Sequence, residues 1–462
     1  MSTQHANFAA LKVSLDPDAI GAETHARIRR LYPICRSITG NGLRQTLGLI
    51  AEEIDLRTEE VPTGTAVFDW TVPKEWNIRD AYIKNRQGER LVDFNASNLH
   101  VVNYSVPVNQ RMTLAALRPH LHSIPDRPDW IPYKTSYYAE NWGFCVTHRQ
   151  LEALEKEDGE LDVCIDSSLT NGHLTLGQCV LEGRPSDESL FSCHACHPSL
   201  CNDNRSGISV AVTLARLLKA TNHRYTYRFL FIPGTIGAIT WLARHEEVTP
   251  RIKHGMVLAC VGDRGGVTYK RSRRSQATID RAVVHVLQQS GERFEIQEFS
   301  PYGYDERQYC SPGFDLPVGV WSRTPHGCFP EYHTSGDNVD FVDAASLADT
   351  VAKLVDVLQV LEGDAITLNR NPKCEPQLGR RGLYALIGGH GGKREMEFAL
   401  LWVLNLSDGS HSLLDIAERS GLSFSLLRTA ADTLIRHELL EEVPAAMAEG
   451  RSESRAARMR AL

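Results

Sequence analysis

Nothing in this chain of 462 residues is apolar for long enough to cross a bilayer; runs such as 256–261 stop far short of the ~20 residues a spanning helix needs. A charged-then-apolar leader is also missing, so the expected compartment is the cytoplasm and no membrane partner is expected. Charge of one sign is absent as well. Lys and Arg number 50 against 57 Asp and Glu, a net charge of −7, so the overall field does not draw polyanions and nucleic acid is not the expected partner. Low-complexity sequence is lacking: 42% of residues are hydrophobic and 23% charged, close to a globular average. Nor is there a disulfide framework. The eleven cysteines are odd in number and scattered, apart from Cys193, Cys196 and Cys201, a pattern of reduced thiols.

What is present is enough chain for about three domains. Apolar residues recur at helical spacing over 22–53, broken by Pro33 and by Gly40-Asn41-Gly42, which predicts two helices. The stretch 62–138 holds seven prolines, and four of the seven tryptophans fall between Trp70 and Trp142. With short β-like pieces at 81–84 and 98–104, it reads as a β-rich insertion. Short apolar runs at 161–165, 190–193, 227–232, 256–261 and 318–321 then alternate with helical stretches at 209–220, 236–244 and 344–361. That alternation predicts an α/β sheet with a parallel component. Residues 364–395 read as a linker with a glycine loop at 388–392. Helical patterns at 398–404, 412–419 and 423–437, closed by a β element at 438–443, predict a winged helix. The expected divisions are therefore an α/β domain at 1–61 and 139–364, the insertion at 62–138, a winged helix at 365–445, and a disordered tail at 446–462.

The chemistry concentrates in the segment running from Ser192 to Gly207. A strand leads into a loop carrying His194, His197 and Asp203 with three cysteines, and a helix follows. Polar groups thus gather at the carboxyl end of a strand, where open α/β sheets bind ligands. Neutral imidazoles with a carboxylate suit Zn²⁺ or a related divalent ion. A second cluster, Glu331-Tyr332-His333-Thr334-Ser335-Gly336-Asp337, offers another imidazole with a carboxylate four residues on.

Asn202-Asp203-Asn204 with Ser206-Gly207, then Tyr332-His333-Thr334 with Asp337, resembles the zinc aminopeptidase clan of bacterial leucyl aminopeptidases and glutamate carboxypeptidase. More closely, the chain resembles a bacterial aminopeptidase-like family with a β-rich insertion and a C-terminal winged helix, often associated with polysaccharide or secondary-metabolite gene clusters. The words that carry this likeness include Cys35-Arg36-Ser37-Ile38-Thr39-Gly40, Glu75-Trp76, Asn98-Leu99-His100, Ser136-Tyr137-Tyr138, Cys196-His197-Pro198-Ser199 and Asp305-Glu306-Arg307-Gln308. The resemblance implies a zinc-exopeptidase-like mixed sheet flanked by helices. It makes Asp203 the metal carboxylate and His333 the late histidine ligand. The early ligand is His197 or His194, with His197 preferred.

Departures accompany the match. The clan has two adjacent glutamates after a strand, a general base and a metal ligand, where this chain reads Pro233-Gly234-Thr235-Ile236-Gly237. Gly234 at the base position cannot accept a proton. The clan's later aspartate ligand aligns near Cys260, with Asp263 close enough to substitute. One zinc ion is therefore expected rather than two. Glu306 is the replacement base expected, ahead of Glu331 and Asp337, and Asp305, Arg307 and Asp337 are expected to contact substrate.

Plainer readings stand beside these. Asp203 between two asparagines could cap the next helix, the tryptophans of the insertion could all be core, and Arg271-Ser272-Arg273-Arg274 could be a solvated run. The 412–442 stretch carries three arginines against six carboxylates, which argues for protein contact or homo-oligomer packing over DNA. The expected function is a metal-dependent aminopeptidase-like amidohydrolase that cleaves a small peptide or an aminoacylated biosynthetic intermediate by metal-activated water. The rival is a catalytically impaired relative that binds metal or ligand, or scaffolds a partner.

Overall fold

The computed structural model describes residues 3–184, 187–383 and 392–443; the loop at 388–391 and the tail at 446–462 lie outside them. Eight strands form one mixed sheet in the order Arg57–Pro62, His173–Leu181, Thr226–Ile232, Glu188–His194, Ile252–Leu258, Val318–Ser322, Val267–Lys270, Phe294–Gln297. The four central strands run parallel, and antiparallel pairs adjoin them on both sides. The two-residue period of a strand sorts side chains between two cores. In Thr226–Ile232, Tyr227, Phe229 and Phe231 enter one core while Leu230 and Ile232 enter the other. Helices Pro17–Leu31, Gly207–Lys219, Thr278–Gln289 and Ala344–Gly363 cover the first face; Ile236–Arg244 covers the second. Local signals set several helix starts. Pro17 begins its helix behind Asp16, whose carboxylate accepts the N–H groups of Asp18 and Ala19.

The insertion leaves and re-enters the sheet at one place, because Arg57–Pro62 and His173–Leu181 are antiparallel neighbours and Thr63 N–H donates to Gly172 O at 2.9 Å. Between them lies a second, antiparallel sheet ordered Arg90–Asp93, Glu75–Lys84, Glu160–Thr170, Val108–Thr113. The limit at 138 is corrected by that pairing. The run at 161–165 belongs to the insertion, with Leu161, Val163 and Ile165 in its core and Asp162, Cys164 and Asp166 only partly buried. Such alternation marks a strand with one wet face, unlike the central strands buried on both. The β-like piece at 98–104 is instead a single 3₁₀ turn, Asn98–His100, leading into extended chain.

The C-terminal unit is a winged helix of Gly392–Leu406, Leu413–Ser420 and Phe424–Arg436. Its sheet includes a strand within the stretch read as linker: Ile366–Asn369 pairs with both Asp408–Ser412 and Leu440–Glu442. Arg281 on Thr278–Gln289 bonds Asp415 and Glu418 at 2.6 Å each, and Phe424 N–H donates to His285 Nε2 at 3.2 Å. All eleven cysteines are unpaired. Among the described residues no helix is long and apolar enough to cross a membrane.

Candidate metal centre

Strand Glu188–His194 ends on His194 at the carboxyl edge of the parallel sheet, and the loop that follows turns back through Cys201–Ser206 into helix Gly207–Lys219. Asp203 in that turn is fully buried and sits among three imidazoles. His194 Nε2 is 2.8 Å from its Oδ1, His333 Nε2 is 3.1 Å from its Oδ2, and His197 Nδ1 is 3.7 Å from its Oδ1. Donor atoms of His194, His197 and Asp203 all lie within 4.8 Å of one another. Burial alone would raise the Asp203 pKa, but the surrounding His197, His194 and His333 hold it well below the usual carboxylate range. Burial drives the His197 pKa well below 6.5, against the pull of Asp203, which leaves its imidazole neutral.

The two early histidines differ in what satisfies them. Asn204 Nδ2 lies 3.3 Å from His194 Nδ1, so His194 accepts there and donates its Nε2–H to Asp203. His197 Nδ1 is buried with no hydrogen-bond partner. Two ligands of one tetrahedral Zn²⁺ at bond lengths near 2.05 Å stand about 3.3 Å apart, so an unpartnered imidazole nitrogen 3.7 Å from a carboxylate oxygen has a ligand's spacing. The donor set fits a divalent ion of the zinc kind.

Distant segments hold this cluster. Asp337 accepts the backbone N–H groups of Cys201 and Asn202 on Oδ1, at 3.1 and 2.6 Å, and that of Asp203 on Oδ2 at 2.9 Å. Arg36 Nε donates to His197 O at 2.9 Å. The insertion reaches in through Tyr133, whose N–H donates to His333 O at 2.7 Å and whose ring stands edge-on to His197 and His333. An isolated bridge between Pro132 and Thr334 continues that clamp. His333 itself has φ of 55°, a left-handed conformation that a non-glycine residue keeps only under tertiary constraint. Tyr304 stacks on His194 with centroids 5.1 Å apart, and its hydroxyl lies 3.0 Å from Cys260 Sγ.

A family profile described as "Domain of unknown function (DUF4910)" matches residues 25–364, and a winged helix-turn-helix profile matches 365–442. The chain belongs to the DUF4910 family. It is 50% identical, over 92% of its length and 97% of the relative's, to a Clostridium acetobutylicum protein named for a candidate role in polysaccharide biosynthesis and for its aminopeptidase-like domain. The crystal structure of a candidate peptidase from that organism superposes with a TM-score of 0.88 at 48% identity, covering 92% of this chain and 97% of the other. A zinc aminopeptidase from Bacillus subtilis superposes with a TM-score of 0.53 at 13% identity, covering 73% of this chain and 94% of that one, a likeness of fold. The DUF4910 chain thus has the aminopeptidase-like fold with a winged helix appended.

Several expected site residues take other duties in this DUF4910 chain. Asp337, expected at the substrate and as an orienter of His333, is fully buried and fastens the backbone of the Asp203 turn instead. Asp263 is occupied by Asn202 Nδ2, Gly265 N–H, and the N–H and hydroxyl of Thr324, so its oxygens tie loops together and are not free for a metal. Glu306, expected as the base, is buried with Oε1 held 2.8 Å from Lys270 Nζ and Oε2 without a hydrogen-bond partner. His194 and His197, set as alternatives, both reach Asp203. Trp70 is 44% exposed and therefore is not core.

Gly234 does face the cluster. A Cβ added there would lie 3.0 Å from His194 Cβ and 3.4 Å from Asp305 Oδ1. Asp305 is buried with neither carboxylate oxygen partnered, and burial pushes its pKa up to about 7 against the opposing effect of His194. Arg307 Nε is also buried without a partner. The basic run is paired off: Arg273 and Arg274 meet Asp315 at 2.7 and 3.3 Å, and Arg271 meets Glu298 at 3.2 Å. Tyr133 and Tyr304 carried no spacing signal in the sequence; only the residue words around them did.

Proposed function

We propose that the protein is a metal-dependent hydrolase of the aminopeptidase kind, with a single zinc-type ion held by His197, Asp203 and His333 and acting on an aminoacyl or small-peptide amide. The observation that carries this reading is the orphaned Nδ1 of His197 beside a buried carboxylate that two further imidazoles already address. The name of the Clostridium acetobutylicum relative adds a setting, polysaccharide biosynthesis, in which the substrate would be an aminoacylated intermediate. When bound, the ion supplies polarisation of a carbonyl oxygen and acidification of water.

The chain's own groups do the rest. His194, bridged between Asn204 and Asp203, fixes the carboxylate's orientation. Asp337 holds the turn that presents Asp203, and Tyr133 holds His333 by its carbonyl. Asp305 is the carboxyl nearest the Gly234 position, with Oδ1 3.4 Å from where a Cβ there would stand. It can hold a proton there, though without the reach of a glutamate at 234. Thr235 and Cys260 occupy the positions of further clan ligands, and Cys260 is engaged with Tyr304, so one ion is favoured over two.

A second reading, a metal- and ligand-binding protein with little turnover, is favoured by Gly234 itself. Elemental mass spectrometry of protein purified without added metal or chelator tests the centre. About one ion per chain is expected, with clear loss in Asp203→Ala and His333→Ala. Metal-free protein even after reconstitution overturns the centre. A loaded protein that turns over no aminoacyl or dipeptidyl amide moves the conclusion to the second reading.

A further inference from the structure

A cleft of about 800 Å³ opens between helix Asn41–Ala51 and the sheet of the insertion. None of His194, His197, Asp203 or His333 lines it, although Ser199, two residues beyond His197, does. Its volume falls in the range of small-molecule sites. Four of the sequence words that carry the family likeness have residues on its wall, at Cys35 and Thr39, Trp76, Asn98 and Ser199, and only the last of those words supplies a candidate metal ligand.

The lining is polar but nearly uncharged. Among the described lining residues Arg79 is the one charged side chain; it is 80% exposed and shares its Nε and Nη2 with Asp166 at 2.8 and 2.5 Å. A cationic ligand finds no carboxylate on this wall, and an anionic ligand finds only that one exposed, ion-paired guanidinium. Side-chain amides and hydroxyls take their place. Gln45 and Ser168 make no side-chain hydrogen bond to another described residue, and the Asn41 amide nitrogen and the Asn95 amide oxygen are also unspent. Amides and hydroxyls offer donors and acceptors side by side, which is what a ligand hydroxyl, itself donor and acceptor, requires. Tyr32 and Phe94 add half-buried ring surface beside them.

A peptide is the competing ligand. The strand residues on the wall, Trp76 to Arg79 and Ser168, belong to Glu75–Lys84 and Glu160–Thr170, which pair with each other, Asn77 directly opposite Ser168. On its other edge Glu75–Lys84 pairs with Arg90–Asp93 only from Tyr82 to Lys84, so strand addition along Trp76 to Arg79 is the alternative that the tetra-alanine titration tests. We propose that this cleft binds a neutral, polyhydroxylated ligand, a short oligosaccharide, at a site separate from the metal centre.

Isothermal titration calorimetry on the full chain tests it with maltotriose, mannotriose, galactotriose and tri-N-acetylchitotriose, alongside trigalacturonate and end-blocked tetra-alanine. At least one neutral trisaccharide should saturate with Kd below about 1 mM, and trigalacturonate should bind at least about tenfold more weakly. Ser168→Trp fills the cleft and Gln45→Ala, an exposed and mild change, removes an unspent amide; each should weaken binding by about fivefold or more. His333→Ala, which disables the metal centre, should leave the titration unchanged, so failure of the hydrolase reading and failure of this one are distinguishable. Absence of saturation by all four neutral sugars at about 10 mM, tetra-alanine binding as tightly as any sugar, or binding untouched by both cleft substitutions overturns the proposal.

Discussion

Replacing Gly234 by glutamate puts a carboxylate where the wider clan keeps its base, and the geometry sets what it costs and yields. The new Cβ would stand 3.0 Å from His194 Cβ, tight enough that one neighbour must shift by a few tenths of an ångström. Overpacking of that order costs about 1–3 kcal/mol of stability. Asp305 Oδ1, 3.4 Å from the same Cβ, is an unpartnered buried carboxyl, and a like group beside it raises the new glutamate's pKa toward neutrality. A base so tuned is worth about 10²- to 10⁴-fold, or about 3–5 kcal/mol of barrier. Initial rates on L-aminoacyl p-nitroanilides, taken across a pH series at equal metal content, should rise by at least about 10² in Gly234→Glu. Gly234→Gln and Gly234→Ala carry the steric change without the proton acceptor and should stay at the wild-type level. The reasoning fails if Gly234→Gln matches Gly234→Glu, or if the wild type already turns over as fast.

Two further outcomes follow from buried groups. Asp337→Ala strips the backbone N–H groups of Asn202 and Asp203 of their acceptor, while that of Cys201 keeps the backbone carbonyl of residue 337, so urea denaturation should show a loss of about 2 kcal/mol or more, accompanied by weaker metal retention because Asp203 rides on the same turn; an unchanged midpoint would contradict the role given to Asp337. His254 is buried with neither ring nitrogen partnered, and burial lowers its pKa to about 3. The unfolded chain takes up that proton near pH 6.5, so this stability is intact above pH 6.5 and drains away as pH falls toward 3, by about 2 kcal/mol at pH 5. His254→Leu should remove that share of the acid dependence in paired denaturation curves at pH 7.5 and 5, and parallel curves for both proteins would refute it.

Much of the architecture is written in local pattern. The runs at 190–193, 227–232 and 256–261 read as strands because residues buried on both faces are continuously apolar, and all of Thr226–Ile232 is buried. The His194-to-Asp203 loop was legible because a polar, histidine-bearing turn after such a strand has few structural explanations. Long-range pairing was not legible. Glu160–Thr170 carries the same β-forming residues whichever sheet it joins, and only its partner strands place it in the insertion. Asp337 reads as an ordinary carboxylate beside His333, and its three N–H partners lie 134 to 136 residues away. Tyr133 belongs to a proline-rich stretch with no chemical signature, yet it holds His333 by its carbonyl and edges two of the imidazoles.

The insertion is fastened along its length, by Asn41 to Asn77, Arg36 to Asn103 and Ser199 to Asn98 among other pairs, and at two further places with different consequences. At its root it joins the main sheet through the Thr63 and Gly172 pair; at its tip, Pro132 and Tyr133 grip the loop of His333. A body tied at root, at tip and between them is a brace, and its tip holds the loop of His333. The cleft lies along that brace, between the insertion's sheet and helix Asn41–Ala51. A core trimmed of residues 63–172 would lose the brace that holds one imidazole of the metal centre in place.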